Sequence, residues 1–358
     1  MKKRIEHFVN AIQEHQGEGL SFLPDSYFIP FTQNDMVMDV HLVHAAEELL
    51  CQMYDSDHAL IVNDDPVFYF LTHLLKPAER IMVLEGSSYE TKSCGFSVSH
   101  CPLTTSVTDI DYDVLAKSLK KEKVKAFVLE LDLYPILWDF AKVHQVVTSA
   151  GAHLIVSCGT LSGLIPAQLR MNPLEEVALV CGRFQGTLGG VTGGFCLMQD
   201  DTYHKYFEKQ VSESEHYTSL LDVVCLRYLQ YKDAQSYLAQ AVANADALAF
   251  TLQQEGFSVL GLETNSPFVL VDASKFLGVP IHYIVDVLAK INLFVQPFQG
   301  YLKMGVLSVT ERGLKERDVA YVAKVFSRAL KHSDSNEILE DLRVEVENIA
   351  CKFPRGDE

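Results

Sequence analysis

Gly186-Thr187-Leu188-Gly189-Gly190-Val191-Thr192-Gly193-Gly194 is a glycine-rich stretch with two glycine pairs, 189–190 and 193–194. Its paired glycines bare successive backbone N–H groups, which can cradle an anion. The same glycines also suit a loop that must turn tightly with no ligand at all. Asp64 and Asp65 follow the apolar run 59–62. Carboxylates there could hold a cation or an amine, or cap a following helix. Cys158 closes another apolar run and could be a nucleophile, against the alternative of inert packing. His41 and His44 have the i,i+3 spacing of a helical metal site. No carboxylate or cysteine completes a set around them, so no metal is expected. The eight cysteines include no CxxC pair, and nothing resembles a P-loop, a zinc motif or a Ser-His-Asp elbow.

The elements that must position these residues follow from hydrophobic pattern. Short apolar runs at 59–62, 81–84, 126–129, 153–156, 177–180 and 194–198 are bounded by polar or Gly-containing segments. Several are apolar on both faces, as strands of a covered parallel sheet are. Helix-length segments at 68–75, 112–120 and 140–150 lie between them. This alternation predicts a βαβ succession and an open α/β sheet, whose strand C-terminal ends are the place for a ligand. Leu42, Ala45, Ala46, Leu49, Leu50 and Met53 share one helical face, predicting a helix over 42–54. After residue 200 a mostly helical stretch over 203–254 is expected. Apolar runs at 257–260, 268–271, 293–296 and 302–309, and helices near 280–290, 315–331 and 336–351, complete a smaller α+β domain. The expected organisation is an N-terminal segment 1–40, a large α/β domain 41–235 and a small C-terminal domain 236–358.

Composition narrows the partners. The 358 residues carry 47 acidic against 30 basic side chains, a formal charge of −17, which disfavours nucleic acid and anionic membrane as partners. No stretch approaches the roughly 20 apolar residues of a membrane helix. The basic start Met1-Lys2-Lys3-Arg4 is followed by no apolar h-region, so no secretory signal is expected. Scattered, unpaired cysteines fit a reducing, cytoplasmic location.

The order and spacing of several segments resemble the serine hydroxymethyltransferase family. They are Tyr134-Pro135, Asp139-Phe140-Ala141-Lys142, 151–156, Gly163-Leu164-Ile165, Asn172-Pro173 and the glycine loop 186–194. Leu74-Leu75-Lys76-Pro77, Ala243-Asn244-Ala245, Leu270-Val271-Asp272, Thr310-Glu311-Arg312-Gly313 and the tail 342–346 with Phe353-Pro354 extend the match over about residues 40–354. The resemblance implies fold type I: a pyridoxal phosphate (PLP) transferase-like α/β domain with a mostly parallel sheet, and a smaller α+β domain.

What it implies about chemistry is mostly loss. The Schiff-base lysine falls at Gly186, preceded by Gln185 in place of histidine, and glycine has no amine with which to form an aldimine. No lysine lies between Lys142 and Lys205 to replace it. The aspartate that pairs with the pyridinium, and so keeps the ring an electron sink, falls at Ser157, and a family histidine falls at Thr160. The ring-stacking histidine falls at Tyr89, which still offers a flat π face. The phosphate loop reads Asn63-Asp64-Asp65, and the partner subunit's phosphate loop falls at Ser212-Glu213, so carboxylates would repel a phosphate. The substrate-carboxylate arginine falls at Lys303, which keeps charge without the bidentate fork. Asp65, Glu85, Asp132, Cys158 and Lys303 are candidates to line the vacated cleft. No catalytic residue and no covalently bound cofactor are expected. The expected protein is a dimeric pseudoenzyme, as a homodimer or in a hetero-oligomer with a competent paralogue, acting by binding or regulation. The alternatives are a PLP-independent enzyme using the cleft on an amino-acid, amine or other small-molecule ligand, and residual PLP enzymology with non-covalent cofactor.

Overall fold

Strand β1 (Leu20–Ser21) and everything after Tyr237 belong to one compact unit, and Ile29–Ser236 forms the other. The computed structural model describes residues 20–21, 40–62, 65–90, 95–190, 193–208, 232–274 and 278–354. In the larger unit the chain runs α1 (Val40–Tyr54), β2 (His58–Val62), α2 (Pro66–Leu74), β3 (Arg80–Val83), β4 (Ser97–His100), α3 (Tyr112–Glu122) and β5 (Val124–Glu130). It continues through α4 (Phe140–Ser149), β6 (His153–Ser157), β7 (Leu179–Arg183), β8 (Gly194–Met198) and α5 (Asp201–Glu208). The seven strands lie in the order β2-β8-β7-β6-β5-β3-β4. Only β8 runs against its neighbours. All five residues of β8 and four of the five in β6 are buried, so the apolar runs have both faces covered.

Helix ends follow local chemistry. Asp111 and Asp139 cap α3 and α4 by accepting the backbone N–H of Val114 and Lys142. Lys123 closes α3 in the left-handed conformation. Register then places functional groups side by side. Glu130 at the end of β5 pairs with Ser157 at the end of β6, which pairs with Cys181 on β7. Three parallel strands thus deliver polar groups to one edge of the sheet, where open α/β sheets bind ligands.

The smaller unit contains most of α6 (Lys232–Gln254), then β9 (Ser258–Leu260), β10 (Phe268–Asp272), α7 (Ile281–Lys290), β11 (Leu293–Phe294), β12 (Gln296–Phe298) and β13 (Tyr301–Gly305). It ends with α8 (Leu307–Glu311), α9 (Glu316–Lys331) and α10 (Asn336–Lys352). Its four-stranded sheet has the order β12-β13-β10-β9 with every pairing antiparallel, while β1 lies parallel to β11. Buried Asn244 of α6 donates to Thr310 Oγ1 (2.8 Å) and to the Leu314 carbonyl (2.9 Å), fixing α6 against the turn that follows α8. The Arg312 guanidinium covers the C-terminal carbonyls of α10 at Ala350 and Phe353.

Two expected runs are placed differently. The strand anticipated at 177–180 is Leu179–Arg183, because the Val177 N–H is held by the Pro173 carbonyl (2.9 Å) and pairing starts only beyond that turn. The run 302–309 divides into β13 and α8, both buried, and periodicity alone cannot separate two short apolar pieces in series. Edge strand β4 was not anticipated, since Ser97–His100 is only partly buried and carries no strong apolar run. Among the described residues, no helix is long and apolar enough to cross a membrane.

Candidate functional site

Beyond β6 and β7 the chain folds into two short 3-10 turns, Gly159–Leu164 and Gly186–Leu188. Thr187 staples them together. Its hydroxyl accepts the Gly163 N–H (2.8 Å) and donates to the Thr160 carbonyl (2.9 Å). The close approach requires glycine at 186, where φ is +81°. A Cβ built there would overlap the Thr160 carbonyl oxygen and stand 2.7 Å from the Thr160 Cβ. Thr160 in turn donates from its backbone N–H (2.9 Å) and its hydroxyl (3.2 Å) to Asp132 Oδ2. The Asp132 carboxylate lies so close over Gly159, itself at φ +52°, that no side chain fits there either.

A second group forms around Asp65. It caps α2, accepting the N–H groups of Val67 (3.1 Å) and Phe68 (3.3 Å), with Pro66 in the first helical position. Its oxygens are also shared with two side chains. Tyr89 Oη donates to Oδ1 (2.5 Å), and Arg183 Nη2 donates to Oδ2 (2.6 Å). Burial, reinforced by the Asp65 carboxylate, pushes the Tyr89 phenol up, so it stays a neutral donor. Burial works against charge on Arg183, yet Asp65, with Tyr89 and Asp132, more than offsets it and holds the guanidinium above its usual value.

Glu130 joins the two groups. It is 7 % exposed, and its carboxyl is hydrogen-bonded by the Ser87 side chain. Among the described residues its Oε2 has no hydrogen-bond partner. Burial pushes its pKa up to about 8, opposed by Ser87, reinforced by Asp132 and Asp65, and opposed again by Arg183. At neutral pH the group is therefore mostly a carboxylic acid, with one proton to give. The arrangement can present a fixed cation, two fixed anions and a buried acid at one sheet edge.

The structure places the sequence-derived candidates unevenly. Asp65 and Tyr89 meet directly, as do Asp132 and Thr160, and Thr160 packs on Gly186. Ser157 sits buried beside Glu130, and its hydroxyl interacts with the Cys181 thiol. Gln185 is half-buried and makes no side-chain bond to the turn it opens. Cys158 is fully enclosed, and burial pushes its thiol up to about 12, so it packs rather than attacks. The Glu85 side chain is exposed, and its carbonyl accepts from Tyr134 Oη (3.0 Å). Lys303 belongs to the smaller unit, buried with its ammonium over the rings of Phe268 (4.4 Å) and Phe298 (5.4 Å). Exposed His44 lies 3.5 Å from Glu47. Asn63, Asp64, Glu213 and the His41 side chain lie outside the described residues.

Arg183 and Glu130 were missed. The signal for Glu130 was an acid directly after the apolar run 126–129. For Arg183 it was a cation three residues before the glycine loop. Each was hidden by ending a strand recognised mainly for its apolar part.

A family model described as serine hydroxymethyltransferase matches residues 68–326. The chain belongs to the serine hydroxymethyltransferase family. Its fold is the family's fold type I. Relatives bearing the serine hydroxymethyltransferase name are far in sequence, and the matches cover about three quarters of their length. One from Nostoc sp. strain PCC 7120 is 25% identical over 330 residues, covering 85% of this chain and 77% of the relative. One from Myxococcus xanthus strain DK1622 is 26% identical over 305 residues, 78% and 73% of the two chains. A third, from Nostoc punctiforme, is 25% identical over 311 residues, 80% and 73%. The serine hydroxymethyltransferase match spans Glu130, Ser157, Arg183 and Gly186 alike.

Proposed function

We propose that this serine hydroxymethyltransferase-family chain does not hold PLP as a Schiff base and acts by binding, as a cytoplasmic, dimeric pseudoenzyme. PLP, when bound, supplies an electron sink, and three features of the site fit it poorly. The position expected to carry the lysine is Gly186, whose left-handed backbone and contact with Thr160 leave no room even for a Cβ. That observation carries the proposal. Ser157, where the pyridinium partner is expected, brings no charge. The Arg183 guanidinium and Tyr89 hydroxyl are already engaged by Asp65, at the helix start where a phosphate is expected to bind. Pairing as a homodimer, or with a competent paralogue, is part of the proposal and draws on the fold family alone.

The test is an absorbance scan of the purified chain with added PLP, followed by borohydride reduction and peptide mass analysis. No aldimine band near about 420 nm and no lysine-linked adduct from the larger unit are expected. An adduct there would overturn the proposal. Glu130 favours a second function, PLP-independent proton transfer in the same cleft, because a buried acid titrating near about 8 is suited to give and take protons at neutral pH.

A further inference from the structure

We propose that the C-terminal ends of β5, β6 and β7 bind a primary ammonium group, received by Glu130 Oε2, which has no hydrogen-bond partner among the described residues. The proposal rests on the reading that no aldimine forms here, and it names what these strand ends take instead.

The first observation is the orphaned oxygen itself. A buried polar atom without a partner is rare and calls for one. Glu130 is enclosed on a strand end, held from one side by Ser87 and flanked by Ser157, so its carboxyl is fixed rather than free to turn to solvent. The second is the sign of the surrounding charge. The groups acting on the Glu130 carboxyl are Asp132 beyond β5, Asp65 at the start of α2, Arg183 at the end of β7 and the neutral Tyr89. Among the described residues two carboxylates stand against one guanidinium, and that guanidinium is already turned to Asp65. The residual field favours a cation over an anion. The third observation separates cation types. Among the described residues no three His, Cys, Asp or Glu side chains converge as metal ligands. A divalent ion would lack its oxygen shell, whereas an ammonium needs only hydrogen-bond acceptors.

The bookkeeping of the binding step is simple. Glu130 enters as the neutral acid and the ligand as R–NH3+. The Glu130 O–H proton leaves to solvent, and the carboxylate accepts an N–H of the ammonium. One proton is released per ligand bound, and no covalent bond within the ligand changes.

Methylammonium chloride is the probe, because it is the smallest alkyl primary ammonium and carries the N–H donors that the proposal requires. The Glu130 carboxyl carbon is followed by NMR through a pH titration of the whole chain labelled at glutamate, with the signal assigned by its loss in Glu130→Gln. Methylammonium should move the Glu130 midpoint down by about one pH unit or more, as an opposite charge in contact does. Tetramethylammonium chloride, which cannot donate, and sodium acetate should leave it unmoved. Glu130→Gln should weaken methylammonium binding, read from the ligand's own resonance, about tenfold or more. Asp132→Asn, a second variant that keeps Glu130, should weaken it severalfold. Equal responses to methylammonium and tetramethylammonium would overturn the proposal, as would a response to acetate alone. An aldimine band in the PLP scan would overturn the underlying reading. A flat methylammonium titration without such a band would overturn the ammonium site alone.

Discussion

Glu130→Gln should remove from the larger unit a loss of stability that the native chain suffers as pH rises. In the folded chain Glu130 titrates near about 8, against an ordinary value of 4.5. Between those values the folded state keeps a proton that the unfolded state has released. Stability therefore falls as pH rises through this window and levels off above about 8. The sign is opposite to that of a carboxylate held in an ion pair. At roughly 1.4 kcal/mol for each pKa unit, the whole interval sets a ceiling of about 5 kcal/mol. Relaxation and water entry on ionisation lower it, and about 2–4 kcal/mol is expected at about pH 9, falling toward zero near about pH 5. Glutamine has the same shape, keeps an oxygen for Ser87 and does not titrate. The assay is urea unfolding of both chains at matched ionic strength, from about pH 5 to about pH 9. The single tryptophan, Trp138, lies in the same unit and reports its unfolding. Stability curves for the two proteins that run parallel across this range would refute the assignment of a buried, proton-holding Glu130.

Gly186→Ala should cost about 2–4 kcal/mol in the same urea assay, from left-handed strain and overlap with Thr160. Gly186→Lys should cost at least as much and yield neither an aldimine band nor aldol activity, and restored activity would contradict the geometry of that turn. Arg183→Met leaves Asp65 facing Tyr89 without its cation. With Arg183 38% exposed, solvent screening reduces the expected loss to about 1–2 kcal/mol. The same change removes a cation that favours ionised Glu130, so the pH window of stability loss should move upward. Iodoacetamide at neutral pH should label exposed Cys351 and spare Cys158, as peptide mass analysis would show.

The sheet was legible because its strands are buried on both faces and therefore read as unbroken apolar runs. Gly194–Met198 was anticipated to the residue, since all five of its side chains are enclosed. The glycine loop was legible as a loop, but not the backbone sign at Gly186, which depends on Thr160 arriving from another turn. Asp65 was foreseen as a helix cap, and it caps α2 through Oδ1, which also accepts from Tyr89, while Oδ2 takes Arg183. Arg183 and Glu130 were not foreseen, for a common reason. Their importance comes from register, which sets them beside residues far away in sequence, and an apolar pattern carries no register. The Glu85 side chain is exposed, and it is the backbone carbonyl that Tyr134 meets.

The left-handed turn at Gly186 also constrains the paths by which this chain could change. Any amino-acid substitution at that position places a Cβ in occupied space before it confers chemistry. A route toward a lysine must first reshape Thr160, its bond to Thr187 and its two bonds to Asp132, none of which is rewarded alone. The stapled pair of turns thus works as a ratchet in sequence space. It closes the shortest way to an amine at that position.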